Sequence, residues 1–249
     1  MILKKKDSDT IVKAIFLFAS CLQFASCEPV YFERTAQHTR VSLQEQISTI
    51  EIDGVFEMVL HSDTVNFIEY FTSGKENLTL DFDSTAIHIA TKLRLRGLYG
   101  YELPILHLHL KSAASYKFNI NQPIRLTNTD SLQFHALKFV LYAQLSDINI
   151  FMDVSELFIV NSDTGSGDIR LTGKTNKLYC RQRGLLQVHA EGLQAHSATV
   201  IQNSLRDCFV YVTDKMTVKI NRPADVLYKG QPEISTDITA EGRLLPLDN

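Results

Sequence analysis

Phe139-Val140-Leu141, Ile148-Asn149-Ile150, Leu157-Phe158-Ile159, Ile169-Arg170-Leu171, Leu178-Tyr179-Cys180 and Leu186-Gln187-Val188 follow one another down the second half of a 249-residue chain. Each is a short run with apolar residues two apart, the period at which side chains fall on one face of a strand. The series continues with runs starting at Ala198, Cys208, Met216 and Val226. Taken alternately, the starts Phe139, Leu157, Leu178, Ala198 and Met216 step by 18, 21, 20 and 18. The interleaved starts Ile148, Ile169, Leu186, Cys208 and Val226 step by 21, 17, 22 and 18. Two interleaved series with a period near 20 predict a β-solenoid, in which the strands of each coil stack on those of the next. Glycine or Asx residues punctuate the coils at Asp147, Gly165, Gly167, Gly173, Gly184, Gly192 and Asp207. An antiparallel β-sandwich, which also spaces short strands 8–12 residues apart, is the alternative. In either case Phe139, Leu141, Ile148, Ile150, Leu157, Ile159, Ile169, Leu171, Leu186, Val188, Val210, Val212, Val218 and Ile220 are expected to point inward.

Toward the N-terminus the period of two persists. It runs through Ile50-Glu51-Ile52, Leu78-Thr79-Leu80-Asp81-Phe82, Ile87-His88-Ile89 and Leu106-His107-Leu108-His109-Leu110, but without the 20-residue repeat. No segment carries an apolar stripe at helical spacing over three turns, so the body is all-β. Residues 41–82 read as antiparallel hairpins with strands at 47–52, 55–60, 65–71 and 78–82. Such a sheet would serve as an end cover, which a solenoid requires.

The first 26 residues differ in kind. Lys4-Lys5-Lys6 precedes a 13-residue apolar run, Ala14 to Ser26. That is too short to span a bilayer and suited to an export signal. The run ends in Phe24-Ala25-Ser26-Cys27, with a similar Phe18-Ala19-Ser20-Cys21 before it. Small residues ahead of a cysteine resemble a bacterial lipobox, although phenylalanine replaces the usual leucine. The resulting expectation is a signal peptide over 1–26, an acylated Cys27 with a tether over 27–39, and one domain over 40–247. An ordinary secretory signal with an incidental cysteine is the other reading. A lipidated Cys27 would make the membrane a partner and the outer membrane of the cell envelope the location, since two or more acyl chains anchor stably.

The chain carries a formal charge of −3. Loss of residues 1–26 removes four lysines and two aspartates, leaving −5. A mildly acidic body without a basic stripe argues against nucleic acid as a partner. Cys180 and Cys208 could pair in an oxidising compartment, but both are in phase with apolar neighbours and read equally as buried thiols.

Three segments carry a family resemblance. They are Ile50-Glu51-Ile52-Asp53-Gly54-Val55-Phe56, Ser166-Gly167-Asp168-Ile169-Arg170-Leu171-Thr172-Gly173, and Met216-Thr217-Val218 followed by Val226-Leu227-Tyr228-Lys229-Gly230-Gln231-Pro232 and Gly242. Together they resemble the putative auto-transporter adhesin, head GIN domain family of Bacteroidetes envelope proteins, over about residues 40–247. The resemblance implies a right-handed β-helix-like fold, a lipoprotein or secreted setting, and no established chemistry to carry over.

Candidate chemistry is sparse. Asp163-Thr164-Gly165-Ser166 has the aspartic-protease tetrapeptide, but that chemistry needs two carboxylates sharing a proton, and a glycine-rich turn explains the segment better. His107 and His109, two apart on one strand, face the same way and could begin a metal site, yet no carboxylate or cysteine nearby in sequence completes it. No metal or other cofactor is therefore assigned. Asp147, Asp153, Asp163 and Asp168 with Arg170, Arg181 and Arg183 are the residues a polysaccharide lyase or hydrolase on a β-helix would draw on. Lys92-Leu93-Arg94-Leu95-Arg96-Gly97-Leu98-Tyr99-Gly100-Tyr101 is basic and aromatic inside an acidic protein. Arg94, Arg96, Tyr99 and Tyr101 are candidate ligand contacts, because arginine and tyrosine dominate binding hot spots. The leading expectation is a non-catalytic envelope module for adhesion, binding or scaffolding, with a glycan or an envelope protein as its partner. A carbohydrate-active enzyme is the alternative.

Overall fold

A computed structural model describes residues 37–72, 78–91 and 103–247. Every regular element among them is a strand. Those of the first half are β1 (Gln37–Ser42), β2 (Thr49–Asp53), β3 (Glu57–Asp63), β4 (Phe67–Thr72), β5 (Leu78–Phe82), β6 (Ala86–Thr91), β7 (Ile105–Lys111), β8 (Ser115–Ile120) and β9 (Arg125–Asn128). Then come β10 (Ala136–Leu141), β11 (Ser146–Asn161), β12 (Ser166–Ser204), β13 (Cys208–Ile220), β14 (Val226–Lys229), β15 (Glu233–Ile238) and β16 (Leu244–Pro246).

From β8 onward every ladder is parallel, which excludes the sandwich and makes the body a β-solenoid. The register repeats the sequence period. Ile148 lies opposite Ile169, Leu157 opposite Leu178, Val188 opposite Cys208, Cys208 opposite Val226, and Met216 opposite Ile234. Stacking like on like keeps the apolar row of each coil in line with the next, so the rows merge into one core. All fourteen residues expected to point inward are at most 1% exposed. Cys180 and Cys208 lie in the same core as free thiols. Hydrogen bonding with Cys180, together with burial, pushes the Cys208 thiol well above its ordinary range.

The corners hold polar residues where they are needed. Asn161, Gln182 and Gln202 are buried at one bend, spaced about one coil apart. Asn161 donates through Nδ2 to the Arg183 carbonyl and accepts from the Arg183 N–H, both at 2.7 Å. Gln182 donates to the carbonyls of Leu186 (2.6 Å) and Arg206 (2.7 Å), and Gln202 donates to that of Arg206 (2.9 Å). The ladder stops at each corner, and these amides take up carbonyls that would otherwise be buried without a partner. Gly230, in the Tyr228-Lys229-Gly230-Gln231-Pro232 segment, has φ +97°, and a Cβ there would lie 1.9 Å from the Val212 carbonyl oxygen. Only glycine lets the chain turn this close to the coil beneath.

The first half departs from the hairpin expectation. The strands lie close to where the sequence places them, and antiparallel pairs exist: β1 with β4, β4 with β7, and β5 with β6. But β2 and β3 do not pair with each other. They form one coil of the solenoid: β2 lies parallel to β6 and β8, and β3 parallel to β7 and β9. The coil of β6 and β7 therefore stacks outside the coil of β2 and β3, although it comes later in the chain. From β7 the chain must step past that coil to reach β8. It does so at Ser112 and Ala113, whose N–H groups donate to the carbonyls of Asp63 and Gln133, with Ala113 at φ +59°. Asn66 braces this step: its Oδ1 accepts from the Lys111 N–H (2.7 Å) and the buried Tyr116 hydroxyl (3.1 Å).

This layout predicts a sharp contrast along β11. Ile150→Ala should cost roughly 2–5 kcal/mol in urea unfolding, whereas Asn149→Ala, on the outward row, should stay within about 0.5 kcal/mol. Similar losses at the two positions would contradict the strand phase. Gly230→Ala should lower the melting temperature by more than Asn149→Ala does, because the added methyl has no room.

Candidate binding face

Because the ladders are in register, the outward side chains of successive strands line up as rows. One row crosses seven strands: Arg40, Glu69, His107, Val59, Thr127, Asn149 and Arg170. A second row, Ser42, Phe67, His109 and His61, runs beside it. The two rows bring the rings of Phe67, His109, His61 and His107 together on β4, β7 and β3, beside the charges of Arg40 and Glu69. The His61 and His109 rings stack at 4.3 Å and 12° between planes, and His109 stacks on Phe67 at 3.9 Å and 11°. The Arg40 guanidinium lies 3.7 Å from the Phe67 centroid, a cation–π contact. His61 Nε2 stands 3.0 Å from His107 Nδ1. His109 Nδ1 is held by Asp63 at 3.1 Å, while Glu69 faces both His38 (3.7 Å) and Arg40 (3.6 Å).

Partial burial, reinforced by His109 and His107, pushes the His61 imidazole below the usual histidine range, against the opposing pull of Asp130 and Asp63. Burial does the same to His107, aided by His109 and His38 and opposed by Glu69. Asp63 lies below its ordinary range, first because its carboxylate accepts from the Thr64 N–H and then because of His109.

Further along the same outer surface the rings give way to ion pairs. Arg125 meets Glu57 at 2.7 Å and reaches Asp147 at 4.0 Å; Arg170 meets Asp147 at 3.3 Å. Arg206 pairs with Asp168 at 3.4 Å and hydrogen-bonds Gln187. Arg183 lies 3.5 Å from Asp163. Of the carboxylates a hydrolase would draw on, Asp147, Asp163 and Asp168 are thus each matched by an arginine, and Asp153 sits in register with Lys174. The Asp163-Thr164-Gly165-Ser166 segment is a corner between β11 and β12, where Gly165 N–H donates to the Ser162 carbonyl.

His107 and His109 share a face, as their spacing implies. His61 was not singled out by the sequence, because its partners are 46 and 48 residues away and only the parallel pairing of β3 with β7 brings them together. Arg94, Arg96, Tyr99 and Tyr101, like Cys27, lie outside the described residues. By position in the chain the first four belong to the connection between β6 and β7.

The family described as "Putative auto-transporter adhesin, head GIN domain" matches residues 101–232. The chain belongs to this family. Its fold is that of a putative adhesin from Bacteroides fragilis NCTC 9343, with a TM-score of 0.59 at 12% identity over 86% of this chain and 98% of that one. A putative adhesin from Parabacteroides merdae ATCC 43184 gives 0.55 at 14% identity, over 86% and 96% of the two chains. One from Parabacteroides distasonis ATCC 8503 gives 0.51 at 16% identity, over 86% and 98%. Comparison with curated proteins gave no match. Membership of the family supports an adhesin-like, non-catalytic role and a surface or exported setting.

The histidine shifts have a signed consequence. A histidine whose folded-state pKa is depressed binds fewer protons folded than unfolded. Its neutral form supports the fold above the ordinary value near 6.5, and that support is lost as pH falls from there through the depressed value. The melting temperature should therefore drop between about pH 7 and pH 5, and His61→Gln with His107→Gln should flatten the drop. Asp63 acts in a separate window, its support lost only as pH falls below its ordinary 3.8. A wild-type profile level from pH 7 to pH 5 would contradict the burial of these rings.

Proposed function

We propose that the protein is a non-catalytic lipoprotein of the cell envelope, tethered to the outer membrane through an acylated Cys27. It holds a glycan or another envelope component against the outer face of β4, β7 and β3 together with the segment that enters β7. The observation that carries this reading is the pairing on that face. On it Glu69 and Asp63 lie against Arg40 and His109, the carboxylates of Asp147 and Asp168 further along are matched by arginines, and the rings of His109, His61 and His107 remain half-buried beside the buried Phe67. Glycoside hydrolysis uses two carboxylates, one of them kept as an acid, facing a common bond. A pairing arginine favours the ionised form of a carboxylate instead. A flat polar and aromatic face on a scaffold with little freedom suits binding. Family membership supports the adhesin-like part of the reading.

Arg94, Arg96, Tyr99 and Tyr101 are the contacts we assign to that segment on the strength of their chemistry and their place in the chain. The segment that carries them runs directly into β7, the strand bearing His107 and His109. Alternating arginines cannot be buried unpaired without heavy cost, so they belong at a surface. Replacing all four with serine should abolish capture of envelope glycan or protein, leaving the β-sheet circular dichroism and the melting temperature close to wild type. Undiminished capture would remove the segment from the contact surface.

Anchoring is tested separately. Labelled fatty acid should enter the wild type and Cys21→Ala but not Cys27→Ala, and label retained in Cys27→Ala would refute the anchor.

A further inference from the structure

We propose that two copies of the chain join end to end through the free edge of β15, antiparallel about a two-fold axis at Thr236. Ile234, Thr236 and Ile238 continue the inward row of Met216, Val218 and Ile220, with which they lie in register. In β13 that row is at most 1% exposed, but Ile234 is 37% and Ile238 45% exposed. Among the described residues β15 pairs with β13 alone, so the last coil leaves an apolar row and a backbone edge without cover.

The hydrogen bonds show what that edge offers. Thr239, just beyond β15, donates through its N–H to the Ile220 carbonyl at 2.9 Å. Successive residues of a strand turn their N–H and C=O to opposite edges. Ser235 and Asp237 therefore face β13, while Ile234, Thr236 and Ile238 present both groups outward. On the neighbouring strand of this coil, β16, the edge is blunted. Val226 N–H donates to the Arg243 carbonyl and Leu247 N–H to that of Tyr228, which turns Leu244 and Pro246 toward the free edge. Proline has no N–H to give. β15 is thus the open part of this end, and an edge of that kind takes up a further strand.

A second copy fits it in one register. A two-fold axis normal to the sheet keeps inward residues opposite inward ones only if it passes through a residue. Centred on Thr236, it sets Ile234 opposite the partner's Ile238 and Thr236 opposite its own copy. These are the residues whose N–H and C=O face outward, so each forms a hydrogen-bonded pair. In the outward row Ser235 meets the partner's Asp237, and Glu233 meets the partner's Thr239, so every carboxylate faces a hydroxyl. Centring on Ser235 would set Glu233 against Asp237, and centring on Asp237 would set that carboxylate against itself. Like charges directly opposite are destabilising. Centring on Ile234 or Ile238 leaves most of the strand without overlap. The contact is isologous and closes at two copies. It lies on β15, not on β4, β7 and β3, and is independent of what that face binds.

The test is sedimentation equilibrium of the full-length chain in density-matched detergent, which should give two copies. Thr236→Pro removes the central donor of both copies, an N–H that the β13 ladder does not use. It should weaken association at least about tenfold while the β-sheet circular dichroism stays close to wild type. Disulfide bridging reads the register without that variant. Thr236→Cys should oxidise to a linked pair, mapped as the peptide spanning position 236 joined to its own copy, because hydrogen-bonded antiparallel partners hold their Cα atoms about 5.5 Å apart. Ser235→Cys, whose copies stand on a diagonal about 7–8 Å apart, should not. A single copy in solution, an assembly larger than two, undiminished association of Thr236→Pro, or bridging at 235 in preference to 236 would each overturn the proposal.

Discussion

The structure depends on one constraint: each coil must complete its backbone hydrogen bonds on its neighbours while keeping its inward residues in line with theirs. Because successive side chains alternate, a slip of one residue would turn Ile150 outward and Asn149 inward along a whole strand. The register is pinned by apolar stacking, Ile148 on Ile169 and Leu157 on Leu178, and by corners that tolerate only certain residues. Gly230 fits where a methyl would strike the Val212 carbonyl, and the Asn161, Gln182 and Gln202 amides close the bends. A coil with its inward row in place needs no particular residue on its outward row. That freedom is where a binding surface can be written.

How much of this could be read in advance depended on distance along the chain. In the second half the partner of each strand is one period away, so the repeat in the sequence is the register in space. The fourteen inward residues and the buried character of Cys180 and Cys208 followed from phase alone. In the first half the partners of β2 and β3 lie up to 68 residues away, on β8 and β9, and the coil of β6 and β7 is laid down out of order. Alternation located those strands but carried no information on what they pair with, and hairpins were the local guess. The corner amides were missed for a related reason. Asn161, Gln182 and Gln202 recur with the coil period, but as polar residues near turns they look exposed until the stack closes around them.

The same limit applied to the candidate face. His107 and His109 were visible as a same-side pair, but Phe67 and His61 join them only through β4 and β7 on one side and β7 and β3 on the other. The ion pairs of Arg125, Arg170 and Arg206 likewise cross between strands, which turns a sequence rich in scattered Asp and Arg into a surface of matched charges. Exposed pairs of this kind contribute little to stability. They fix the outer surface electrostatically, leaving the rings of the N-terminal end as its distinctive chemistry. The family relationship supports an adhesin-like role, and the stacked rings of His61, His109 and Phe67 gather at β7, the strand that follows the basic, aromatic segment in the chain.

The parallel pairing of β3 with β7 is the joint on which the N-terminal coils and the ring-bearing face both rest. Disulfide mapping tests it directly. Val59 and His107 are register partners with outward side chains, and adjacent strands hold such Cα atoms about 5 Å apart, within disulfide range. The double variant Val59→Cys with His107→Cys should oxidise rapidly to an intramolecular bridge located by peptide mapping. Val59→Cys with Ile105→Cys, shifted by two residues, should not. Bridging of the shifted pair, or failure of the in-register one in folded protein, would contradict the account.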